Sequence, residues 1–433
     1  MNLALFLPRK GHNCMSINYV KPQKKSLRSL DYLNFFLADV RDGVGPYLAI
    51  YLQASHKWNP ANIGIAMSAM GMATVIAQTP AGAIVDRLRQ KRLLIVLAAV
   101  LVAVGCVGMV LSPTLPTVVS AQALIGVAAA IFPPAIAAIT LGIVGYNKLD
   151  RRIGRNEAFN HAGNVAAAVL AGTVGHFIAR EGIFFLVAAM AIASAIAVVQ
   201  IRDRDIDPDL ARAAKDGQNG EEHQPHVSGI GQILSDRRIL IFAISAVLFH
   251  FANAAMLPLV GQRLADGKAT GASLYMSACI IVAQLVMIPV STWAGRLAHT
   301  GRKPIFLLGF AILPIRGVLY TFSDNPFFLV SVQLLDGIGA GIFGVLSVLI
   351  VADLTKGTGR FNITQGAINT AVGIGASLSN LLTGFVVQQA GYNAGFLTLA
   401  AIATVALGVF GVLMPETNIV HQDRKVGRSP VGY

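Results

Sequence analysis

Charge is what this sequence has least of. Only 13% of its 433 residues are Asp, Glu, Lys or Arg, about half the roughly 25% carried by soluble globular domains. That leaves too little polar surface to hold a chain of this size in water, and lipid must be the solvent for much of it. Cysteine is nearly absent. Cys14, Cys106 and Cys279 stand far apart, which excludes a disulfide framework or a zinc site. A phosphate-cradling loop is missing as well. Gly261 to Thr270 has the wrong spacing, and Ala269 stands where Ser or Thr must hold Mg²⁺, so ATP-driven work by this chain alone is not expected. Without a nucleophile elbow or a Cys/His metal set, neither an enzyme nor a cofactor nor a bound metal is implied. Alternation at strand period is absent too, which argues against a β-barrel.

Apolar runs are what the sequence does have. Hydrophobic residues make up 55% of it, with 43 glycines. Crossing the hydrocarbon core takes about 20 mostly apolar residues. Twelve such runs lie at 30–52, 61–84, 92–112, 116–145, 157–179, 182–201, 238–262, 271–295, 303–322, 326–352, 363–389 and 392–414. Asn59-Pro60, Ser112-Pro113 and Asp324-Asn325-Pro326 punctuate them. The fold class expected is an all-α polytopic membrane protein with twelve transmembrane helices.

The net charge of +13 sits in short clusters between the runs, a placement that does not suit nucleic acid. With a cytoplasmic N-terminus, 28 of the 34 Lys and Arg fall on the cytoplasmic side. Lys57, Arg180, Arg263 and Lys268 fall outside, and Arg41 and Arg316 lie within runs. This bias is the positive-inside rule. It puts both termini in the cytoplasm and the chain in the cell (inner or plasma) membrane, where a monomer is expected. The organisation reads as a tail (1–29), a six-helix bundle (30–201), a cytoplasmic linker (202–237), a second bundle (238–414) and a tail (415–433). His223 and His226 in the linker read as polar filler rather than metal ligands. Met1 to Pro8 is too short to span and does not read as a signal peptide; Met15 is an alternative start.

The two bundles are related. Residues 118–132 (VVSAQALIGVAAAIF) and 329–343 (LVSVQLLDGIGAGIF) match at eight of fifteen positions with a constant offset of 211. Ser, Gln and Phe match in register, which apolar bias does not produce. Pro46 pairs with Pro258, and Gly154-Arg155 with Gly359-Arg360. A parallel repeat of two halves places a solute site near the midplane between them.

On these features the chain resembles the major facilitator superfamily over essentially its whole length. The most specific match is the loop Gly82-Ala83-Ile84-Val85-Asp86-Arg87-Leu88-Arg89-Gln90-Lys91-Arg92, similar to that family's Gly-x-x-x-Asp-Arg signature, with Arg89 in place of the second Gly. Its second-half copy, Gly295 to Lys303, is degenerate and has His299 at the acidic position. The resemblance implies a conformational latch made of Gly82, Asp86, Arg87, Lys91 and Arg92. The plainer alternative is a topology anchor.

Charge inside a bilayer costs a few kcal/mol or more per group, so it needs a partner or water. The first run holds Asp39-Val40-Arg41-Asp42-Gly43-Val44-Gly45-Pro46, where glycines and proline open the helix beside two acids and one base. Desolvation favours the protonated form of a carboxylate, which makes Asp39 or Asp42 a candidate proton carrier. An internal salt-bridge cluster is the structural alternative. His250 and Asn253 fall near the repeat equivalents of Asp39 and Arg41. Further cavity-lining candidates are Gln122, Gln333 and Asp336 in runs four and ten, the stripe Asn160, His161 and Asn164 in run five, and Gln365 and Asn369 in run eleven. Arg316 is expected to pair with an acid such as Asp336 rather than bind solute. Lone Gln284 and His176 read as packing residues.

The function expected is secondary active transport of a small solute by alternating access, with protons as partner. Efflux of drugs or metabolites is favoured over uptake of an organic solute. The Gly-Pro-x-x-Gly-Gly of drug/proton antiporters is incomplete here, since Gly163 and Gly172 lack the proline. A sensor or scaffold on the same fold would need an output domain, and no segment is large enough to be one.

Overall fold

In a computed structural model the described residues are 23–145, 148–207, 236–266, 271–356, 358 and 360–418. The expectations concerning Cys14, Met15, His223, His226, Lys268 and the N-terminal apolar stretch lie outside them. Every regular element among the described residues is helical. In chain order they are α1 (Lys24–Val40), α2 (Pro46–His56), α3 (Pro60–Arg87), α4 (Lys91–Leu111), α5 (Leu115–Val144), α6 (Leu149–Phe177) and α7 (Gly182–Val199). The second half holds α8 (Arg237–Ala254), α9 (Met256–Asp266), α10 (Ala272–Leu297), α11 (Arg302–Leu319), α12 (Pro326–Leu354) and α13 (Phe361–Leu413). α1 with α2, and α8 with α9, each make one broken crossing. α13 makes two crossings that turn at Gly391, whose φ is 82°. The twelve expected crossings are all present.

Local chemistry sets the ends. Asn59 accepts the Asn62 N–H at 2.8 Å with Pro60 in the first turn of α3, and Asn325 does the same for Phe327 at 2.9 Å ahead of Pro326. An Asn cap followed by Pro at the first helical position satisfies one orphan donor and removes another. Eight helical segments are long and apolar enough to cross a membrane by length and composition. The first crossing falls short of that standard because its break leaves helices of 17 and 11 residues, and the fifth and ninth because of the polar groups they carry.

Each half buries its own core, but the two cores meet unequally. At the end of the bundle bearing the α2–α3 turn (the far end), one apolar cluster runs across both halves, joining Ile50 and Leu52 to Met256, Leu259 and Met276. Near the α3–α4 loop (the basic end), the second half has a separate cluster around Phe242, Phe306, Phe310 and Phe410. Across the halves, α2 packs on α9, α3 on α13 and α6 on α10.

Two clasps close the bundles at the basic end, at related places. After α7, Asp203 pairs with Arg92 at the start of α4, and Asp205 accepts the Ser26 hydroxyl at 2.6 Å. The first residues of the expected linker are thus ordered against α1 and α4. After α13, Glu416 accepts the backbone N–H groups of Arg302 and Lys303 at 2.9 and 3.0 Å, capping α11 from outside. Burial alone would raise the Glu416 pKa, but these donors and those of Thr417 and Asn418 outweigh it and hold the carboxyl below its ordinary value. Arg302 completes the clasp with Asp353 at 3.0 Å.

Candidate functional site: a broken first crossing beside a cavity

The break between α1 and α2 follows from three residues. Gly43 and Gly45 take φ of 62° and 52°, a region closed to most side chains, and Pro46 starts α2 without an N–H. The five residues between the helices close on themselves in short turns, Asp42 N–H to the Asp39 carbonyl at 3.2 Å and Gly45 N–H to that of Asp42 at 3.1 Å. A Cβ on Gly43 would lie 3.2 Å from Ile125, whereas one on Gly45 would meet nothing within 4 Å. The break therefore packs on α5 from one side and faces open space from the other.

Asp39 is half-buried and Asp42 exposed, although both sit midway along a crossing. Among the described residues, neither reaches ion-pair distance of Arg41. Instead the Arg41 guanidinium donates to Asn160 Oδ1 at 3.4 Å, and Asn160 Nδ2 donates to Glu157 at 3.4 Å. The salt-bridge cluster considered from sequence is not formed, and the two acids make no ion pair among the described residues around the helix break.

Arg41 opens onto a cavity of about 770 Å³ between the halves at the basic end. Asn34, Asp86, Asn156 and Glu157 line it from the first half, Gln365 and Asn369 from the second. Gln365 donates to Asn369 at 3.1 Å. The wall by α6 is fixed by a buried network. Asp31 accepts Arg152 at 2.7 Å and Arg155 at 2.8 Å, Arg152 donates to Asn156 at 2.8 Å, and Asn156 donates to Thr140 at 3.1 Å. This network draws α6 out to Leu149, two turns beyond the start its hydropathy suggests.

The other expected candidates are placed elsewhere. Gln122 and Gln333 are 4% and 0% exposed, so they face helix packing and not the cavity. They match in register between the halves but do not line this cavity. Asn253 accepts from Arg316, which also pairs with Asp336 at 2.5 Å and donates to Tyr320 at 3.3 Å. Asp336 and Asn253 are thus occupied by Arg316, which is 1% exposed. His250 contacts the Ala246 carbonyl at 3.2 Å and lies edge-on to Phe343. His161 bridges the halves to Gln284 at 3.1 Å, so Gln284 does more than pack. Asn164 is half-buried on the same stripe.

The far end is closed by contacts that sequence reasoning missed. The Tyr47 hydroxyl, on α2, lies 2.7 Å from that of Ser277 on α10, and Ser277 donates to the Ala168 carbonyl on α6 at 2.6 Å. Glycines allow the approach. A Cβ on Gly172 would lie 2.1 Å from the Ser277 hydroxyl, and one on Gly64 would lie 2.5 Å from the Asn380 carbonyl oxygen. The surplus of glycine was the available signal. Which glycines meet across the halves depends on tertiary geometry alone.

Among the described residues, those expected to form a latch make no hydrogen bond or ion pair with the second half. Asp86 is exposed at the cavity with no hydrogen bond or ion pair among the described residues. Opposite it, across the same cavity, stand Gln365 and Gly366 in the first turns of α13. Lys91 donates to the Val85 carbonyl at 2.7 Å, stopping α3, and Arg92 holds Asp203; Arg87 is exposed. A Cβ on Gly82 would meet nothing within 4 Å, so no helix approaches that glycine closely.

Comparison with known proteins agrees with this architecture. The model of the Major Facilitator Superfamily matches residues 30–315 and 282–430. An uncharacterized MFS-type transporter of Mycobacterium tuberculosis (strain H37Rv) is 50% identical over 417 residues, covering 96% of this chain and 99% of its own. Citrate exporter 1 of Aspergillus niger is 20% identical over 229 residues, 51% of this chain and 43% of its own. A crystal structure of the nucleoside transporter NupG superposes with a TM-score of 0.76 at 16% identity, covering 90% of this chain and 100% of its own. At that identity the likeness shows the fold alone.

Proposed function

The chain belongs to the major facilitator superfamily of membrane transporters, and from that premise we propose that it exports a drug or metabolite from the cytoplasm in exchange for protons. The observation that carries the proposal is the Asp39–Arg41–Asp42 group, in which neither acid pairs with the arginine, at a helix break beside a cavity open between the halves. Two acids with no ion-pair partner among the described residues are suited to bind and release protons as their surroundings change. The positive-inside bias makes the basic end cytoplasmic, so the conformation described is the one that loads solute from the cytoplasm. Rocking of the halves about the midplane then closes the basic end and opens the far end. On closing, Asp86 approaches the N-terminal turns of α13, where a carboxylate is favoured by the helix dipole; this is the latch engaged. The alignment with a citrate exporter over half the chain supports the outward direction. The site lies within one chain, which fits a monomer.

The test is solute flux in proteoliposomes with an imposed pH gradient, comparing the wild type with Asp39→Asn and Asp42→Asn. The proposal requires that at least one variant loses the response to the gradient while still exchanging solute at equilibrium. Gradient-driven flux unchanged in both variants refutes the coupling role.

A further inference from the structure

Arg41 and Glu157 are opposite charges on one cavity, and neither is spent on the other. Both line it. Between them stands the Asn160 carboxamide, which accepts from Arg41 at 3.4 Å and donates to Glu157 at 3.4 Å. These are longer than the 2.7–3.2 Å usual for N–H···O bonds. One of the five guanidinium donors is engaged weakly, and one of the two Glu157 oxygens likewise. Among the described residues no carboxylate lies within ion-pair distance of Arg41, and no cation within that of Glu157.

Their separation is set by the packing of two helices and not by their own attraction. Arg41 sits at the end of α1, Glu157 on α6, and the Asp31–Arg152 and Asp31–Arg155 bonds at 2.7 and 2.8 Å fix these helices to each other. The result is a fixed pair of opposite charges with an amide between them, facing a space large enough for a small molecule. Arg41 is half-buried and Glu157 exposed, so an ion of one sign would engage one of the two and leave the other to water. A neutral solute would satisfy neither charge fully. A molecule carrying both charges satisfies both.

We propose that the transported solute is a zwitterion, its carboxylate held by Arg41, its ammonium by Glu157, and its polar middle lying against the Asn160 amide. The assignment rests on the transport reading above and deepens it. Asp39 and Asp42 remain for protons, and Glu157 becomes a specificity residue that the sequence did not single out. Arg41 is suited to the anionic end because its planar fork matches a carboxylate in bidentate geometry.

The experiment measures ligand-induced shifts in the apparent melting temperature of the full-length protein, titrated to give affinities. The probes are alanine, 4-aminobutanoate and alanyl-alanine, each beside its N-acetyl form (no ammonium) and its amide form (no carboxylate), with uridine as an uncharged probe. At least one zwitterion is expected to bind about tenfold or more tightly than either of its blocked forms, the value of one charge-assisted hydrogen bond. In Glu157→Gln the preference over the N-acetyl form disappears and that over the amide form stays. In Arg41→Gln the pattern reverses. This reciprocal pattern separates recognition from general loss of structure. The assignment is overturned if none of the three zwitterions is preferred to its blocked forms, or if both variants keep both preferences. Flux in proteoliposomes distinguishes the two levels of failure. Gradient-driven movement of uridine or of a singly charged form without any zwitterion preference removes the zwitterion and leaves transport standing; absence of any flux and any shift removes both.

Discussion

Gly64 is the position where a single methyl group reports on the conformational cycle. It lies on α3 in the first half, and its neighbours are on α13 in the second. A Cβ there would sit 2.5 Å from the Asn380 carbonyl oxygen and 3.1 Å from the Gly384 Cα. Both are backbone atoms and cannot swing aside. Overpacking of this kind costs about 1–3 kcal/mol. The contact spans the two halves, so the cost falls only on conformations with the far end closed. The roughly 1 kcal/mol that Ala gains over Gly in a helix is common to both conformations and cancels. Gly64→Ala should therefore move the equilibrium toward an open far end by about 2 kcal/mol, or roughly thirtyfold. The assay is the distance between spin labels at Lys57→Cys and Phe322→Cys, two positions near the far end on opposite halves, in a variant whose three native cysteines are replaced. The distribution should shift to longer distances in Gly64→Ala. Gly82→Ala, whose Cβ would meet nothing within 4 Å, should leave it in place. An unchanged or shorter distance in folded Gly64→Ala would refute the assignment of this contact to the closed far end.

Two further outcomes follow from the same packing. Asp336→Ala leaves the buried Arg316 guanidinium without its carboxylate at 2.5 Å, and stability should fall by about 3–5 kcal/mol, read as a lowered melting temperature in detergent; a drop under 1 kcal/mol would mean that Asn253 and Tyr320 suffice. The Glu416 carboxyl is held below its ordinary value by backbone donors. Its stabilising contribution is full above the unfolded-state value and is lost as pH falls through the folded one, so wild type and Glu416→Gln should differ in melting temperature at neutral pH and converge in acid. A difference that persists at low pH would contradict this linkage.

The fold and part of the site were legible for physical reasons that can be named. Apolar runs of spanning length, Asn-Pro punctuation and the repeat at offset 211 give the twelve crossings, because each is a local or periodic property. Asp39, Arg41 and Asp42 stood out because charge inside an apolar run needs a cause, and the Gly-x-Gly-Pro beside them announced the break. Arg316 with Asp336 was readable for the same reason. Glu157 was not, since at the edge of its crossing a carboxylate looks like any solvated end. Gln122 and Gln333 are buried away from this cavity, a placement that repeat symmetry alone does not reveal. Tyr47 and Ser277 carry no local signal. A hydroxyl becomes a contact between the halves only when the other half of the molecule arrives opposite it. The helical reach of α6 to Leu149 likewise depends on Asp31, which is 121 residues from Arg152.

The claim on which the rest stands is that the break in the first crossing faces water entering from the basic end. It is tested most directly by placing a single cysteine at Asp42 in a variant lacking the native three and applying a charged, membrane-impermeant thiol reagent to one side of sealed, oriented vesicles. The account predicts modification from the side bearing the α3–α4 loop, slowed when solute is present. Reaction only with a lipid-soluble reagent, at a rate indifferent to the side of addition, would place Asp42 against the acyl chains and contradict it.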